Sequence, residues 1–71
     1  NDEGTIVVSI YVDAQGKVTQ AAATPSGSRG TAYANLTLRA RAEAAARKAV
    51  FERKPGAVTE RGTITYYFRQ N

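Results

Sequence analysis

The chain has 71 residues, of which 10 are Lys or Arg and 6 are Asp or Glu, and it contains no His, Cys, Met or Trp. A chain of this length forms one domain and buries only about 60% of the surface exposed in its unfolded form. Without cysteine, neither a disulfide nor a zinc–thiolate site can support it. The net charge of +4 is compatible with an acidic or phosphate-bearing partner, although the basic residues form no continuous run. No apolar stretch is long enough to span a membrane.

The first predicted element is a strand at 5–12, where the sequence reads TIVVSIYV. Its side chains alternate in period two, the period of a half-buried strand. The alternation places four apolar side chains on one face: Ile6, Val8, Ile10 and Val12. Val7, Ser9 and Tyr11 take the other face.

A tight turn follows in DAQGK, where Asp13 can cap the turn and Gly16 can supply a positive φ. A second strand is predicted from Lys17 to about Thr24. Its inward face has two alternatives: Val18 and Ala22, or Val18 followed by Ala21 and Ala23 across a β-bulge. The next segment, PSGSRGTA at 25–32, is predicted to be a loop.

A helix is predicted over LTLRARAEAAARKAV, 36–50, with Asn35 or Thr37 as its N-cap. Helical spacing groups Leu38, Ala42, Ala45 and Ala49, with Ala46 nearby, on the side facing the sheet. Arg39, Glu43 and Arg47 follow one another at i,i+4 on the other side. The basic residues of this region are predicted to form a solvated face: Arg39, Arg41, Arg47 and Lys48. Val50 and Phe51 are predicted to close the end of the core.

ERKPGAVTE at 52–60 is predicted to be a loop, and a last strand follows it. Its period-two pattern places Ile64, Tyr66 and Phe68 inward, and Thr63, Thr65, Tyr67 and Arg69 outward. The order strand, strand, helix, strand predicts an α+β fold over 1–71: a three-stranded antiparallel sheet with one main helix packed on one face. The first strand is expected in the centre because it is the most apolar, which leaves the second and third strands as edges.

The sequence argues against catalysis. The chain has no His or Cys, and Ser9, Ser26 and Ser28 have no base to activate them. The glutamates are isolated among basic residues rather than paired. We therefore predict no catalytic, cofactor-binding or metal-binding residue. A small basic nucleic-acid-binding module remains an alternative, with Tyr11 and Tyr67 as the aromatic side chains that could stack on bases.

Three segments resemble the TonB C-terminal domain family, in the family's order. GTIVVSIYVDAQGKV resembles its opening strand and V-D-x-x-G-x-V turn. Leu38, Ala42, Ala45 and Val50–Phe51 resemble the helix that follows in the family. The closing GTITYYF resembles its terminal G-T-[apolar]-T-[apolar]-x-F strand, in a form similar to that of Bacteroidetes-type members.

The resemblance implies the C-terminal module of a periplasmic energy transducer, as a fragment of a longer protein tethered to the inner membrane and coupled there to a proton-driven motor complex. It implies that the last strand binds the TonB box of outer-membrane transporters by strand addition, through Arg61, Gly62, Thr63, Thr65, Tyr67 and Arg69. Exposed edges of this kind also predict pairing between copies at high concentration. A TonB-like protein-binding or structural module attached to a sensor or peptidase protein is the alternative within the same fold.

Overall fold

The computed structural model describes residues 3–51 and 59–69. Within them lie β1 (Gly4–Val12), β2 (Val18–Gly30), α1 (Leu36–Lys48) and β3 (Glu60–Phe68). The strands form one antiparallel sheet in the order β2-β1-β3, and α1 packs on one face of it, over β2 and β1. The predicted α+β fold and the central position of the first strand are both confirmed.

The core lies between α1 and the inner face of β1. Ile6 and Val8 are fully buried, and Ile10 is 2% exposed. Ala42 and Ala46 of the helix pack against them. Because these helix positions carry only a methyl group, the helix backbone can approach the sheet closely, and the large strand side chains fill the space between the layers.

The predicted turn after β1 is confirmed. The Asp13 side chain accepts hydrogen bonds from the backbone N–H groups of Gln15 at 2.9 Å and Lys17 at 3.0 Å. Gly16 has a φ of +85°, and a Cβ at this position would collide with the backbone carbonyl of Phe51. Both the positive φ and this close approach require glycine.

β2 differs from the prediction in its length. The segment predicted as a loop at 25–32 instead carries the strand on to Gly30, which pairs with Gly4. The pairing jumps from Val7 with Thr24 to Thr5 with Arg29, so an excursion of several residues interrupts the strand.

Side-chain hydroxyls hold the strand together across this excursion. Ser28 Oγ accepts the N–H of Val7 at 2.9 Å and donates to the carbonyl of Thr24 at 2.6 Å. A hydroxyl can do both at once, so it replaces the backbone partner that the excursion removes. A bond between residues 21 positions apart leaves no local pattern in the sequence, which explains the wrong loop prediction.

The two alternatives for the inward face of β2 are also resolved. The register shifts between Tyr11 and Val12, as a β-bulge would cause. Ala21 is buried and Ala23 is half-buried, whereas Ala22 is exposed. The bulge alternative is therefore confirmed.

α1 ends two residues earlier than predicted, at Lys48, with Ala49 as its C-cap. At its start, the Asn35 side chain accepts the N–H of Leu38 at 3.1 Å, so Asn35 rather than Thr37 is the N-cap. Of the predicted inward alanines, Ala45 is wrong, because it is exposed.

We expect Asn35→Ala to lower the unfolding free energy by about 1 kcal/mol, because the N–H of Leu38 would lose its acceptor. Urea denaturation followed by circular dichroism measures the change. Thr37→Ala is the matched control: Thr37 lies exposed in the first turn, and its replacement should be neutral or slightly stabilising. A larger loss at Thr37 than at Asn35 would reverse the N-cap assignment.

The prediction that Val50 and Phe51 close the core is wrong. Val50 is 78% exposed and Phe51 is 41% exposed. This segment returns instead to the first turn, where Val50 forms a bridge with Lys17 and the Phe51 N–H donates to the Gly16 carbonyl at 2.8 Å. Most of the loop predicted at 52–60 lies outside the described residues, and its last residue, Glu60, begins β3.

Candidate functional site

The candidate site is the outer edge of β3. β3 pairs with β1 along its whole length, from Gly4 with Phe68 to Val12 with Glu60, without a register shift. Nine residues of a strand extend over about 30 Å. Among residues 3–51 and 59–69, no strand pairs with the other side of β3.

The side chains of β3 alternate as the sequence predicts. The outward residues are exposed: Thr63, Thr65 and Tyr67. The inward residues are half-buried and pack against the core: Ile64, Tyr66 and Phe68. Tyr67 is 76% exposed, so an aromatic ring stands at this edge without cover from the described residues.

The direction in which the β3 backbone groups point can be deduced from the hydrogen bonds between β1 and β2. The N–H of Val7 donates to Ser28 and its carbonyl accepts from Thr24, both in β2, so the polar groups of Val7 point toward β2. Along an antiparallel strand, the N–H and carbonyl groups of successive residues point alternately to one side and to the other. The polar groups of Val8 therefore point toward β3 and pair with those of Ile64, which is its register partner.

The same alternation along β3 turns the backbone groups of every second residue away from β1. These residues are Arg61, Thr63, Thr65 and Tyr67. Each of them offers an N–H donor and a carbonyl acceptor along the outer edge, and their side chains lie on the exposed face of the sheet. This is the arrangement that accepts another extended chain.

The structure thus brings together four of the six residues suggested for partner binding, turns Gly62 toward β1, and leaves Arg69 just beyond the end of the strand. Gly62 pairs with Ile10, and its backbone groups point toward β1 instead of the outer edge. A Cβ at this glycine would lie 3.8 Å from Ile10, an ordinary contact on the inner side. Arg69 follows the last residue of β3 and is exposed.

At the opposite edge of the sheet, on β2, two side chains of the helix bond to outward backbone groups. The Glu43 carboxylate accepts the N–H of Ala23 at 2.8 Å. The Arg47 guanidinium donates to the carbonyl of Ala21 at 3.4 Å. Both backbone groups face away from β1, so side chains of α1 take the place of a neighbouring strand. We call Glu43 and Arg47 the capping pair.

Two further features interrupt the β2 edge. Thr19 is the extra residue at the bulge near the end of β1, and its hydroxyl donates to the carbonyl of Tyr11 at 3.3 Å. Pro25 follows at the start of the excursion and has no N–H to donate. Within residues 3–51 and 59–69 the two edges are therefore unequal, because β3 is regular and has no strand on its outer side, whereas β2 is irregular and covered.

The capping pair is the feature that sequence reasoning missed. The sequence places Glu43 and Arg47 on a solvated side of α1, whereas both contact β2. Arg39 is also not simply solvated, because its guanidinium lies 4.7 Å from the centre of the Tyr33 ring, a cation–π contact. The i,i+4 spacing gave a signal, but it predicted pairing within the helix and not with a strand.

The described residues offer little support for the other kinds of site. Residues 3–51 and 59–69 contain no group of three or more acidic side chains arranged to hold a metal ion. Tyr67 lies beside Thr5, six residues along β1 from Tyr11, a separation of about 20 Å. Two rings so far apart do not form a platform for successive bases.

Among residues 3–51 and 59–69, no helix has the length and apolar character needed to cross a bilayer.

Comparison with known proteins found no matching family model, curated protein or solved structure.

Proposed function

We propose that this domain is the periplasmic C-terminal module of a TonB-like energy transducer. In this role it binds the TonB box of an outer-membrane transporter by β-strand addition and couples the proton-motive force to nutrient uptake. The full-length protein is tethered to the inner membrane, where its N-terminal part engages the proton-driven motor. The domain has no catalytic role in this proposal.

One observation carries the proposal: in the described part of the chain, helix side chains cover one edge of the sheet and no strand pairs with the other, which we call the accessible edge. The accessible edge belongs to the strand that resembles the family's partner-binding strand. Main-chain hydrogen bonds to the outward groups of Thr63, Thr65 and Tyr67 would provide affinity with little demand on the partner's sequence. One module could therefore serve several transporters.

The inner side of the same strand adds a second source of affinity. Ile64, Tyr66 and Phe68 are half-buried, and the main contacts of α1 are with β2 and β1 rather than β3. Alternate side chains of an added strand would lie beside these three residues and bury more of their apolar surface. Each Å² of apolar surface removed from water contributes about 25 cal/mol.

The sheet is also suited to transmitting force. A partner strand beside β3 would be held by several hydrogen bonds in parallel, and β3 is itself joined to β1 along its full length. Force along the strand direction would load these bonds together rather than one after another. An added strand would therefore transmit force as well as provide binding.

The proposal is tested by titrating a fluorescent TonB-box peptide into the domain at about 50 and 500 mM salt, with a single-stranded oligonucleotide as the comparison. We expect the peptide Kd to change by less than about threefold, because main-chain hydrogen bonds and apolar contacts depend little on salt. Phosphate contacts would weaken by orders of magnitude over this range. Binding of the oligonucleotide alone would overturn the proposal in favour of a nucleic-acid-binding module. Binding of neither ligand would favour a structural module of a sensor or peptidase protein.

The accessible edge also leads us to propose that copies of the domain pair through β3 when no partner is present. Sedimentation velocity over a wide range of protein concentrations should show reversible dimers, which an excess of TonB-box peptide dissociates. A monomer at every concentration would contradict self-pairing. It would leave the peptide-binding proposal intact.

A further inference from the structure

We infer that Glu43 and Arg47 determine which edge of the sheet accepts a partner, by occupying the backbone groups of β2 that a second added strand would use. This inference deepens the proposed function and rests on it only for the identity of the partner. The claim that the two side chains cover the β2 edge applies to the free domain and does not depend on the partner. The capping pair would thereby limit the domain to one partner strand, placed at β3.

The spacing of the two elements supports this role. The outward groups of a strand recur every two residues, about 6.6 Å, and Ala21 and Ala23 are two residues apart. Side chains at i and i+4 of a helix are separated by about 6.0 Å along its axis. Glu43 and Arg47 have this separation, so each reaches one of the two outward groups.

The chemistry of the pair also matches the edge. A carboxylate accepts and cannot donate when ionised, and it lies at the N–H of Ala23. A guanidinium donates and cannot accept, and it lies at the carbonyl of Ala21. Exchanging the two residues would place a donor beside the N–H of Ala23 and an acceptor beside the carbonyl of Ala21.

The helix carries another residue at the same i,i+4 spacing, but the regular part of β2 does not extend that far. One helical step before Glu43 is Arg39, whereas β2 beyond Ala23 enters the excursion at Pro25, which lacks an N–H. Arg39 contacts the Tyr33 ring instead. The capping pair thus covers the stretch of β2 between the bulge and the proline, where a regular edge would otherwise be available to another strand.

The test compares the double variant Glu43→Ala/Arg47→Ala with the wild type. Alanine has the highest helix propensity, so the helix itself should persist. Arg41→Ala/Lys48→Ala is the matched control, because it alters two exposed helix residues outside the capping pair. Glu43→Gln/Arg47→Lys is the rescue variant, since it keeps one acceptor and one donor at the same positions.

The first measurement is amide hydrogen exchange in the free domain. In the double variant we expect the Ala23 N–H to exchange at least about tenfold faster, because its acceptor is gone. The Val8 N–H, which faces β3, should be unchanged. The control variant should behave as the wild type, and the rescue variant should regain most of the protection. Unchanged exchange at Ala23 would overturn the inference.

The second measurement determines how many added strands bind at the two edges of the sheet. With saturating TonB-box peptide, we expect one bound peptide for the wild type, the control and the rescue variant. We expect the double variant to bind a second peptide or to dimerise through β2, seen as amide shifts along Val18–Thr24. If Ala23 exchanges faster but only one peptide binds and no β2 dimer forms, the pair is structural and does not determine the edge.

The two proposals fail separately. If the wild type binds no peptide at β3, the proposed function is wrong. The exchange of Ala23 and the β2-mediated dimerisation of the double variant still decide the role of the capping pair, because neither requires the peptide.

Discussion

Replacing Thr65 with proline is expected to weaken binding of an added strand by at least about tenfold while the domain remains folded. The N–H of Thr65 points away from β1, so its loss removes a donor from the outer edge and none from the pairing with β1. Proline is tolerated on an edge strand where the missing N–H faces solvent. Its ring would also obstruct a strand arriving at this edge. Peptide titration measures the binding, and urea denaturation measures the stability.

Two neighbouring substitutions control this experiment. Thr65→Val changes the side chain and keeps the N–H, so the peptide Kd should stay within about twofold if recognition is through the main chain. Ile64→Pro removes an N–H that faces β1 and should cost about 3 kcal/mol or more of unfolding free energy. Equal loss of peptide binding in Thr65→Pro and Thr65→Val would show that the side chain carries the recognition. Unfolding of Thr65→Pro but not of Ile64→Pro would reverse the assigned backbone directions.

Ile6→Ala is expected to cause a large loss of stability. Ile6 is fully buried in the central strand, paired with Tyr66 of β3. Removing its side chain loses apolar burial and leaves a cavity, a cost of about 2–5 kcal/mol. Domains of this length have unfolding free energies of about 4–10 kcal/mol. The variant should therefore lose a large share of its stability, measured as the midpoint and slope of urea denaturation.

Val50→Ala is the contrasting substitution. The sequence suggests a core position, but the side chain is 78% exposed. The unfolding free energy should change by no more than about 0.5 kcal/mol. A loss at Val50 as large as that at Ile6 would place Val50 in the core and contradict the described packing.

The elements that the sequence predicted well are those with a strong local pattern. Ile6, Val8 and Ile10 recur at every second position of the first strand, and Ile64 and Tyr66 do the same in the last strand. Period-two burial is a local property, so each strand face could be assigned without knowledge of its neighbours. The central position of β1 followed because the most apolar strand gains most from neighbours on both sides.

The parts that could not be predicted depend on contacts between distant residues. The continuation of β2 to Gly30 requires the hydroxyl of Ser28 to bond with Val7, across the excursion. Val50 looks apolar in isolation, but the chain turns back to Lys17 and leaves it exposed. Local propensity carries no information on either contact.

The candidate site was predictable in part, because alternation along the last strand is also a local pattern. Alternation placed Thr63, Thr65 and Tyr67 on the outer face. It could not show that Gly62 points its backbone groups toward β1, because that direction depends on the register with Ile10. The covered state of the opposite edge depends on where α1 lies over β2, which no pattern within the helix specifies.

The central claim is that a partner adds as a strand at the outer edge of β3, and residue-resolved amide exchange with and without the TonB-box peptide tests it most directly. We expect new protection to alternate along the strand: the N–H groups of Thr63, Thr65 and Tyr67 become protected, whereas those of Ile64 and Tyr66, already paired with β1, change little. Protection that is absent from β3, or that does not alternate despite measurable binding, would contradict strand addition at this edge.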